Sequence, residues 1–286
     1  MKTIDEEPLI SVIMCVHNNR YSKELALAIE SILNQTYQNL EFIICDDASA
    51  LDVWECLLEY QKEDNRIILI QNKKNMGVAA SLNRCLAKAK GEYIARMDGD
   101  DMSVPNRLEV QYVFLKEHTE YAFVGCNALL IEQKCIWGVR KMPEKPSKED
   151  FLSYSPYIHP TVMGRREFFL RDYGYRESRL TWRCEDMEFF MRRYSQKEYG
   201  YNLQENLYYY REDCKGYKRR KFRYCIAEAL IRLQGYRRLH ILLNGGWYYW
   251  LKPILVGLLP KKTYRKIKRK YQKTTVIENN CWKDTA

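Results

Sequence analysis

Three carboxylates lie within four positions of the stretch ARMDGDD, at Asp98, Asp100 and Asp101. They follow an apolar run that predicts a buried strand, so their mutual repulsion must be offset by water, by hydrogen-bond donors or by a cation. Gly99 lets the first two carboxylates face the same side of an extended turn. Such oxygen ligands suit Mg²⁺ or Mn²⁺, which often bridge to substrate phosphates. A solvated turn fits this stretch equally well.

Two further polar clusters follow predicted strands. The run His17-Asn18-Asn19 comes directly after LISVIMCV, and the pair Asp46-Asp47 follows LEFIIC. In parallel sheets, ligands bind at the carboxyl ends of the strands. We therefore expect the three clusters to lie at one edge of a sheet and to form one site.

The elements that would position these clusters alternate along the first half of the chain. The predicted strands span residues 9–16, 40–45, 66–72 and 92–97, and the predicted helices span 22–34, 51–62 and 78–89. This order indicates crossover units and a mainly parallel, Rossmann-like sheet flanked by helices, so the predicted fold class is α/β. A less regular second half follows, with a helix at 106–117, a strand at 122–131 and a helix from about Glu185.

The net charge of +10 is concentrated at the C-terminal end. Residues 216–286 hold 18 Lys and Arg against 3 Asp and Glu, whereas residues 1–215 hold 29 against 34. The apolar, aromatic stretch 240–260 is too interrupted for a transmembrane helix and fits a segment lying at a membrane surface. We expect this extension to bind anionic lipid. A nucleic-acid-binding arm is the alternative, but no nucleic acid is expected as a partner because the front of the chain is not basic.

Cysteine usage and the N-terminus bear on the compartment. The ten cysteines are scattered singly with no CxxC pair, which disfavours zinc and favours buried thiols in a reducing compartment. The first residues, MKTIDEEPLISV, carry acids where a signal peptide would carry positive charge. We expect a cytoplasmic protein, peripheral at the inner face of the cell membrane.

Five short motifs occur in an order that resembles a known family. The chain carries, in sequence, SVIMCVHN, CDDAS, NMGVAASLN, ARMDGDD and CEDMEFFMRR, across residues 8–215. Together they resemble the inverting nucleotide-sugar glycosyltransferases of glycosyltransferase family 2. The resemblance implies a GT-A fold over residues 1–215, followed by the basic, mostly helical extension 216–286.

The resemblance also implies a nucleotide-sugar site built from residues at the strand ends. Asp47 would accept a hydrogen bond from the base, as uracil offers, and Asp98 would contact the ribose or sugar. Asp100 would coordinate the Mg²⁺ or Mn²⁺ that bridges the two phosphates, and Asp101 would hold a water of the metal shell or orient the loop. The other residues placed against the donor are His17, Asn18, Asn75, Gly77 and Asn83.

Inverting transfer is a single displacement at the anomeric carbon, so the acceptor hydroxyl needs a general base on its own side. The resemblance points to Asp186 as this base, with Glu185 beside it, and places His159 near the acceptor. Acids in the first turn of a helix are also common for structural reasons, because the helix dipole favours them. A structural role is equally open for His159.

The sequence therefore predicts a metal-dependent, inverting transferase. It would move a sugar from a nucleotide-diphosphate sugar, expected to be a UDP-sugar, to a hydroxyl of a lipid-linked glycan or surface-polysaccharide acceptor. The alternative is a non-catalytic subunit that binds sugar nucleotide or glycan in a membrane assembly complex, and the presence of Asp186 speaks against it. A nucleotidyltransferase is disfavoured because no Gly-rich phosphate loop follows the first strand.

Overall fold

The computed structural model describes residues 7–18, 22–132, 135–212 and 222–258, and the backbone of 274–281. The strands are β1 (Ile10–Val16), β2 (Leu40–Asp46), β3 (Ile67–Gln71), β4 (Tyr93–Asp98), β5 (Met102–Ser103), β6 (Phe123–Glu132), β7 (Cys135–Arg140), β8 (Met163–Arg165), β9 (Gly200–Arg211) and β10 (Thr274–Cys281). The helices are α1 (Ser22–Leu33), α2 (Leu51–Glu63), α3 (Val78–Lys88), α4 (Arg107–Glu117), α5 (Arg166–Leu170), α6 (Glu185–Ser195), α7 (Phe222–Arg238), α8 (Trp247–Tyr249) and α9 (Lys252–Gly257). Much of the predicted basic extension, including residues 216–221 and 259–273, lies outside the described residues.

The strands and helices predicted before residue 132 are all confirmed, with boundaries within two residues. The chain forms two compact units. Unit 1 comprises residues 1–123 and 162–175, and unit 2 comprises residues 124–161 and 176–286. The boundary at residue 215 was predicted from the sequence, whereas the two units are defined by contacts in the folded chain. The boundary at 215 therefore stays a prediction.

Unit 1 is built around a sheet in the order β3-β2-β1-β4-β8. Its first four strands are parallel, and β8 runs antiparallel to β4. Every residue of β2 is buried, because helices cover both faces of such a sheet. The register places Cys15 of β1 opposite both Cys45 of β2 and Asp98 of β4. The carboxyl ends of these three strands are therefore level, as a site shared by their loops requires.

Unit 2 contains an antiparallel ladder, in which β7 pairs with β6 and β10 pairs with β7, while β9 also pairs with β6. Helices α6 and α7 pack closely at Gly235, where any side chain would collide with Met191. This contact explains a glycine in a helix interior, a position that otherwise weakens helices. The α/β prediction and the mostly helical character of residues 222–258 are confirmed.

The described cysteines are free thiols, and five of the eight are buried. Within the same residues, every helix is too short or too polar to cross a bilayer.

Candidate active site

The acidic turn after β4 brings its three carboxylates together. One ligand oxygen from each of Asp98, Asp100 and Asp101 lies within 4.8 Å of the others. Asp100 is exposed, Asp98 is half-buried and Asp101 is buried. The backbone closes the turn with a hydrogen bond of 3.4 Å from the Asp101 N–H to the Asp98 carbonyl. The three carboxylates offer hard oxygen ligands, and one of them faces solvent. Such a set fits Mg²⁺ or Mn²⁺, which keep waters on their open side.

Two buried arginines support this turn through hydrogen bonds. Arg96, in β4, is 3% exposed and donates hydrogen bonds to the Met97 carbonyl at 2.6 Å and to the Asp98 carboxylate. Arg107, fully buried at the start of α4, donates to the Arg96 carbonyl at 3.1 Å. The positive charge of Arg96 offsets part of the repulsion among the carboxylates. Sequence reasoning missed both residues, although an arginine inside an apolar strand was a visible signal.

The loop after β1 and the loop after β2 are joined by hydrogen bonds. The Asp47 N–H donates to the Val16 carbonyl at 2.7 Å, and the Asn18 N–H donates to Ser49 Oγ at 3.0 Å. Asn18 has φ of 43° and Ala48 has φ of 56°, in the left-handed region. Hydrogen bonds therefore join the two loops in which these polar clusters were predicted.

Asp47 is buried and organises the turn before α3. Its Oδ1 accepts hydrogen bonds from the Met76 N–H and from Asn72 Nδ2, both at 2.7 Å, and its Oδ2 accepts from the Gly77 N–H at 2.8 Å. Gly77 has φ of 88°, a backbone conformation that favours glycine. The structure thus shows Asp47 holding this turn, and its predicted bond to the nucleotide base stays a prediction.

His17 links Asp47 to Asn75. Its Nδ1 lies 2.7 Å from the Asp47 carbonyl and must donate, because a carbonyl only accepts. In the neutral ring Nε2 is then an acceptor, and Asn75 Nδ2 lies 2.8 Å from it. His17, Asn18 and Asn75 therefore present polar groups together beside the buried carboxylate.

Asn83 lies on α3 and pairs with the backbone of Tyr175. Its Nδ2 donates to the Tyr175 carbonyl and its Oδ1 accepts from the Tyr175 N–H, both at 2.8 Å. The neighbouring Gly174 has φ of 75°, and a Cβ there would lie 2.6 Å from Asn83 Oδ1. The visible role of Asn83 is to anchor this segment, and its predicted contact with the donor is untested.

Replacing Asp47 with Asn is expected to lower the free energy of unfolding by about 3 kcal/mol, because an amide NH₂ would face a backbone N–H donor in a buried site. Urea denaturation measures this change. The matched control is Asp52→Asn, since Asp52 is exposed in the first turn of α2, and we expect a change within about 0.5 kcal/mol. Equal stability of the Asp47 variant and the wild type would contradict this account of the turn.

Unit 2 holds the residues predicted to act on the acceptor. Glu185 and Asp186 are half-buried in the first turn of α6. The His159 ring packs edge-on against Phe190 of the same helix, with ring centroids 6.1 Å apart. His159 and the two acids are thus placed by one helix. Their predicted roles remain proposals.

Comparison with known proteins decides the family. The model of the family described as "Glycosyl transferase family 2" matches residues 11–225. The putative glycosyltransferase EpsE of Bacillus subtilis (strain 168) is 41% identical over 264 residues, which are 92% of this chain and 94% of EpsE. This chain belongs to glycosyltransferase family 2. It is therefore a glycosyltransferase, as the order of its motifs predicted.

Other relatives and solved structures agree with this assignment. WfaP of Escherichia coli, a UDP-Glc:alpha-D-GlcNAc-diphosphoundecaprenol beta-1,3-glucosyltransferase, is 35% identical over 156 residues, 54% of this chain and 60% of WfaP. The crystal structure of S. aureus TarS 1-349 in complex with UDP-GlcNAc superposes with a TM-score of 0.66 at 17% identity, covering 92% of this chain and 78% of that one. The mannosyltransferase PcManGT from Pyrobaculum calidifontis, in complex with GDP-Man and Mn²⁺, gives 0.64 at 16% identity, covering 93% and 81%. At these identities the two structures establish the GT-A fold of this family 2 member.

Proposed function

We propose that this glycosyltransferase moves a sugar from a UDP-sugar to a hydroxyl of a lipid-linked or surface-polysaccharide acceptor, with a divalent cation and with inversion at the anomeric carbon. The observation that carries the proposal is the convergence of three carboxylates at the end of β4, with ligand atoms within 4.8 Å of one another. This turn lies level with the ends of β1, which His17 and Asn18 follow, and of β2, which Asp47 follows.

The relatives support the donor, the metal and the acceptor class. TarS was crystallised with UDP-GlcNAc, and PcManGT with GDP-Man and Mn²⁺. The name of WfaP specifies a UDP-sugar donor and a lipid diphosphate acceptor. The donors, the metal and the acceptor in these names belong to those proteins. We extend a UDP-sugar donor, a divalent cation and a lipid-linked acceptor to this chain because its acidic turn and its family membership fit the same chemistry.

In this proposal Asp100 holds the cation, Asp98 contacts the ribose or sugar of the donor, and Asp101 holds a water of the metal shell or orients the loop. When bound, Mg²⁺ or Mn²⁺ stabilises the charge that develops on the departing diphosphate. Asp47 keeps the turn at 75–77 in place so that Asn75 and His17 meet the nucleotide. Asp186 removes the proton from the attacking hydroxyl, with Glu185 beside it in the first turn of α6.

We also propose that residues 216–286 hold the enzyme at an anionic membrane surface on the cytoplasmic side. Large apolar side chains are exposed in the described part of this extension, with Leu243 92%, Trp247 66% and Leu258 68% accessible. Exposed aromatic and aliphatic side chains on a basic segment are typical of peripheral membrane contact. Such a position would bring the enzyme to an acceptor that is anchored in lipid.

The test is release of nucleoside diphosphate from a panel of UDP-, GDP- and dTDP-sugars by purified protein. We expect release from a UDP-sugar in Mn²⁺ or Mg²⁺, a fall of at least about 100-fold with a chelator, and recovery when the metal is added back. Release only from a GDP- or dTDP-sugar would contradict the UDP assignment. Equal rates with and without chelator would contradict the metal site.

A further inference from the structure

Unit 2 contains a cleft that the donor site does not use. Its volume is about 500 Å³, within the range of about 300–1,000 Å³ usual for small-molecule sites. One wall is the turn before α6, with Arg179, Leu180 and Trp182. The other wall is the start of α7, with Arg223 and Ile226. The cleft is therefore formed by two segments of one unit.

The lining combines positive charge with apolar surface. Arg179 and Arg223 are both exposed, and none of the described residues that line the cleft is acidic. Trp182 is 41% and Ile226 is 42% accessible, so each wall of the cleft presents one large apolar side chain as well as one arginine. Guanidinium groups bind phosphate oxygens through paired hydrogen bonds. A ligand that carries both a phosphate and an apolar chain would satisfy both parts of this lining.

The cleft adjoins the start of the helix that bears the proposed base. Trp182 precedes Asp186 by four residues, and the lining residue Ala227 directly precedes Glu228. Cys184, the residue before α6, donates a hydrogen bond from Sγ to the carbonyl of the lining residue Leu180 at 3.3 Å, so this wall of the cleft is bonded to the start of α6. A ligand in the cleft would thus lie beside the first turn of α6.

We infer that this cleft binds the lipid-diphosphate end of the acceptor, with the phosphates on Arg179 and Arg223 and the first part of the lipid chain on Trp182 and Ile226. The inference rests on the proposed function, because it assigns to a lipid-linked acceptor a binding site beside Asp186. Because the cleft carries two arginines, a negatively charged lipid diphosphate fits it better than an uncharged glycan or an apolar peptide segment would. The arrangement would present a hydroxyl of the glycan to the base while the lipid stays on the membrane side.

The test measures binding of farnesyl diphosphate, with farnesol and inorganic pyrophosphate as partial probes. We expect the double variant Arg179→Gln/Arg223→Gln and the variant Trp182→Ala each to weaken farnesyl diphosphate binding at least 10-fold. Arg179→Lys/Arg223→Lys should recover part of the affinity. Matched controls are Arg237→Gln, at the other end of α7, and Tyr173→Ala, an exposed aromatic residue outside the cleft. Thermal unfolding of every variant verifies that these exposed substitutions leave the fold intact.

Several outcomes would overturn the inference. These are wild-type affinity in the double variant, pyrophosphate binding as tight as farnesyl diphosphate binding, or farnesol binding as tight as either. Loss of flotation with phosphatidylglycerol vesicles without loss of farnesyl diphosphate binding would identify a general lipid surface instead. Donor cleavage in Mn²⁺ is measured on the same variants and should be unchanged. A wild-type protein without donor cleavage would contradict the proposed function, whereas the probe titration reports on the cleft alone.

Discussion

Replacing Asp100 with Asn is expected to lower metal-dependent release of nucleotide from the donor by about 10³-fold. Asp100 is the exposed member of the three-carboxylate turn, so its oxygens are the most accessible ligands for a cation that also meets the donor phosphates. Charge stabilisation by a metal ion lowers the barrier by several kcal/mol, and each 1.36 kcal/mol is tenfold in rate. Steady-state rates across a Mn²⁺ titration measure the effect. The variant should also need a higher Mn²⁺ concentration for half-maximal rate.

Exposure makes this substitution a clean test, because an exposed carboxylate contributes little to folding. Asp52→Asn again supplies the matched control, with the same chemical change at an exposed site on α2. Asp98→Asn is a poorer probe, since Asp98 is bonded to the buried Arg96 and its loss would leave that guanidinium without its carboxylate partner in β4. An Asp100 variant with the wild-type rate and the wild-type Mn²⁺ dependence would contradict the proposed metal site.

Replacing Asp186 with Asn is expected to lower sugar transfer by about 10²–10⁴-fold, the usual contribution of a positioned general base. Donor affinity should change by less than about twofold, because a general base contacts the acceptor hydroxyl and not the nucleotide. Transfer is measured with synthetic glycosyl diphosphates on an alkyl chain, and donor binding by titration with UDP. The anomeric configuration of the product tests inversion in the same experiment.

Glu185→Gln serves as the neighbouring comparison, because it removes a carboxylate from the same turn of α6 without removing the proposed base. Its rate should fall much less than that of Asp186→Asn. If both variants lose transfer equally, the two acids act as a pair and Asp186 alone is not the base. Wild-type transfer by Asp186→Asn would exclude it from catalysis and would favour a purely structural role for the acids that begin α6.

The strands and helices of unit 1 were predictable because each is encoded locally. Short, mostly apolar runs formed β1, β2, β3 and β4, and helical spacing of apolar residues formed α1, α2 and α3. Since parallel strands end at one edge, the clusters after β1, β2 and β4 could be expected at a common site. The register, with Cys15 opposite Cys45 and Asp98, confirms that the three strand ends are level, and a shared site stays a prediction.

Other features depend on contacts between residues far apart in the sequence, and local patterns do not encode such contacts. The predicted contact of Asp47 with the base stays a prediction, whereas the bonds of its carboxylate to Asn72 and to the backbone of the turn at 76–77 were not predicted at all. Arg96 and Arg107 could not be placed beneath the acidic turn without the packing of β4 against α4. The cleft likewise exists only where the turn at 179–182 meets α7.

The residue types of ARMDGDD thus indicated its chemistry. The apolar run that it follows was enough to place it at the end of a strand. In the folded chain Asp98 contacts the buried Arg96, Asp100 is exposed to solvent and Asp101 is buried. Residue type and spacing act over a few positions, so they can be read directly from the chain. Burial, partner and charge compensation arise only when distant segments pack together, and for that reason the tertiary structure alone decided them.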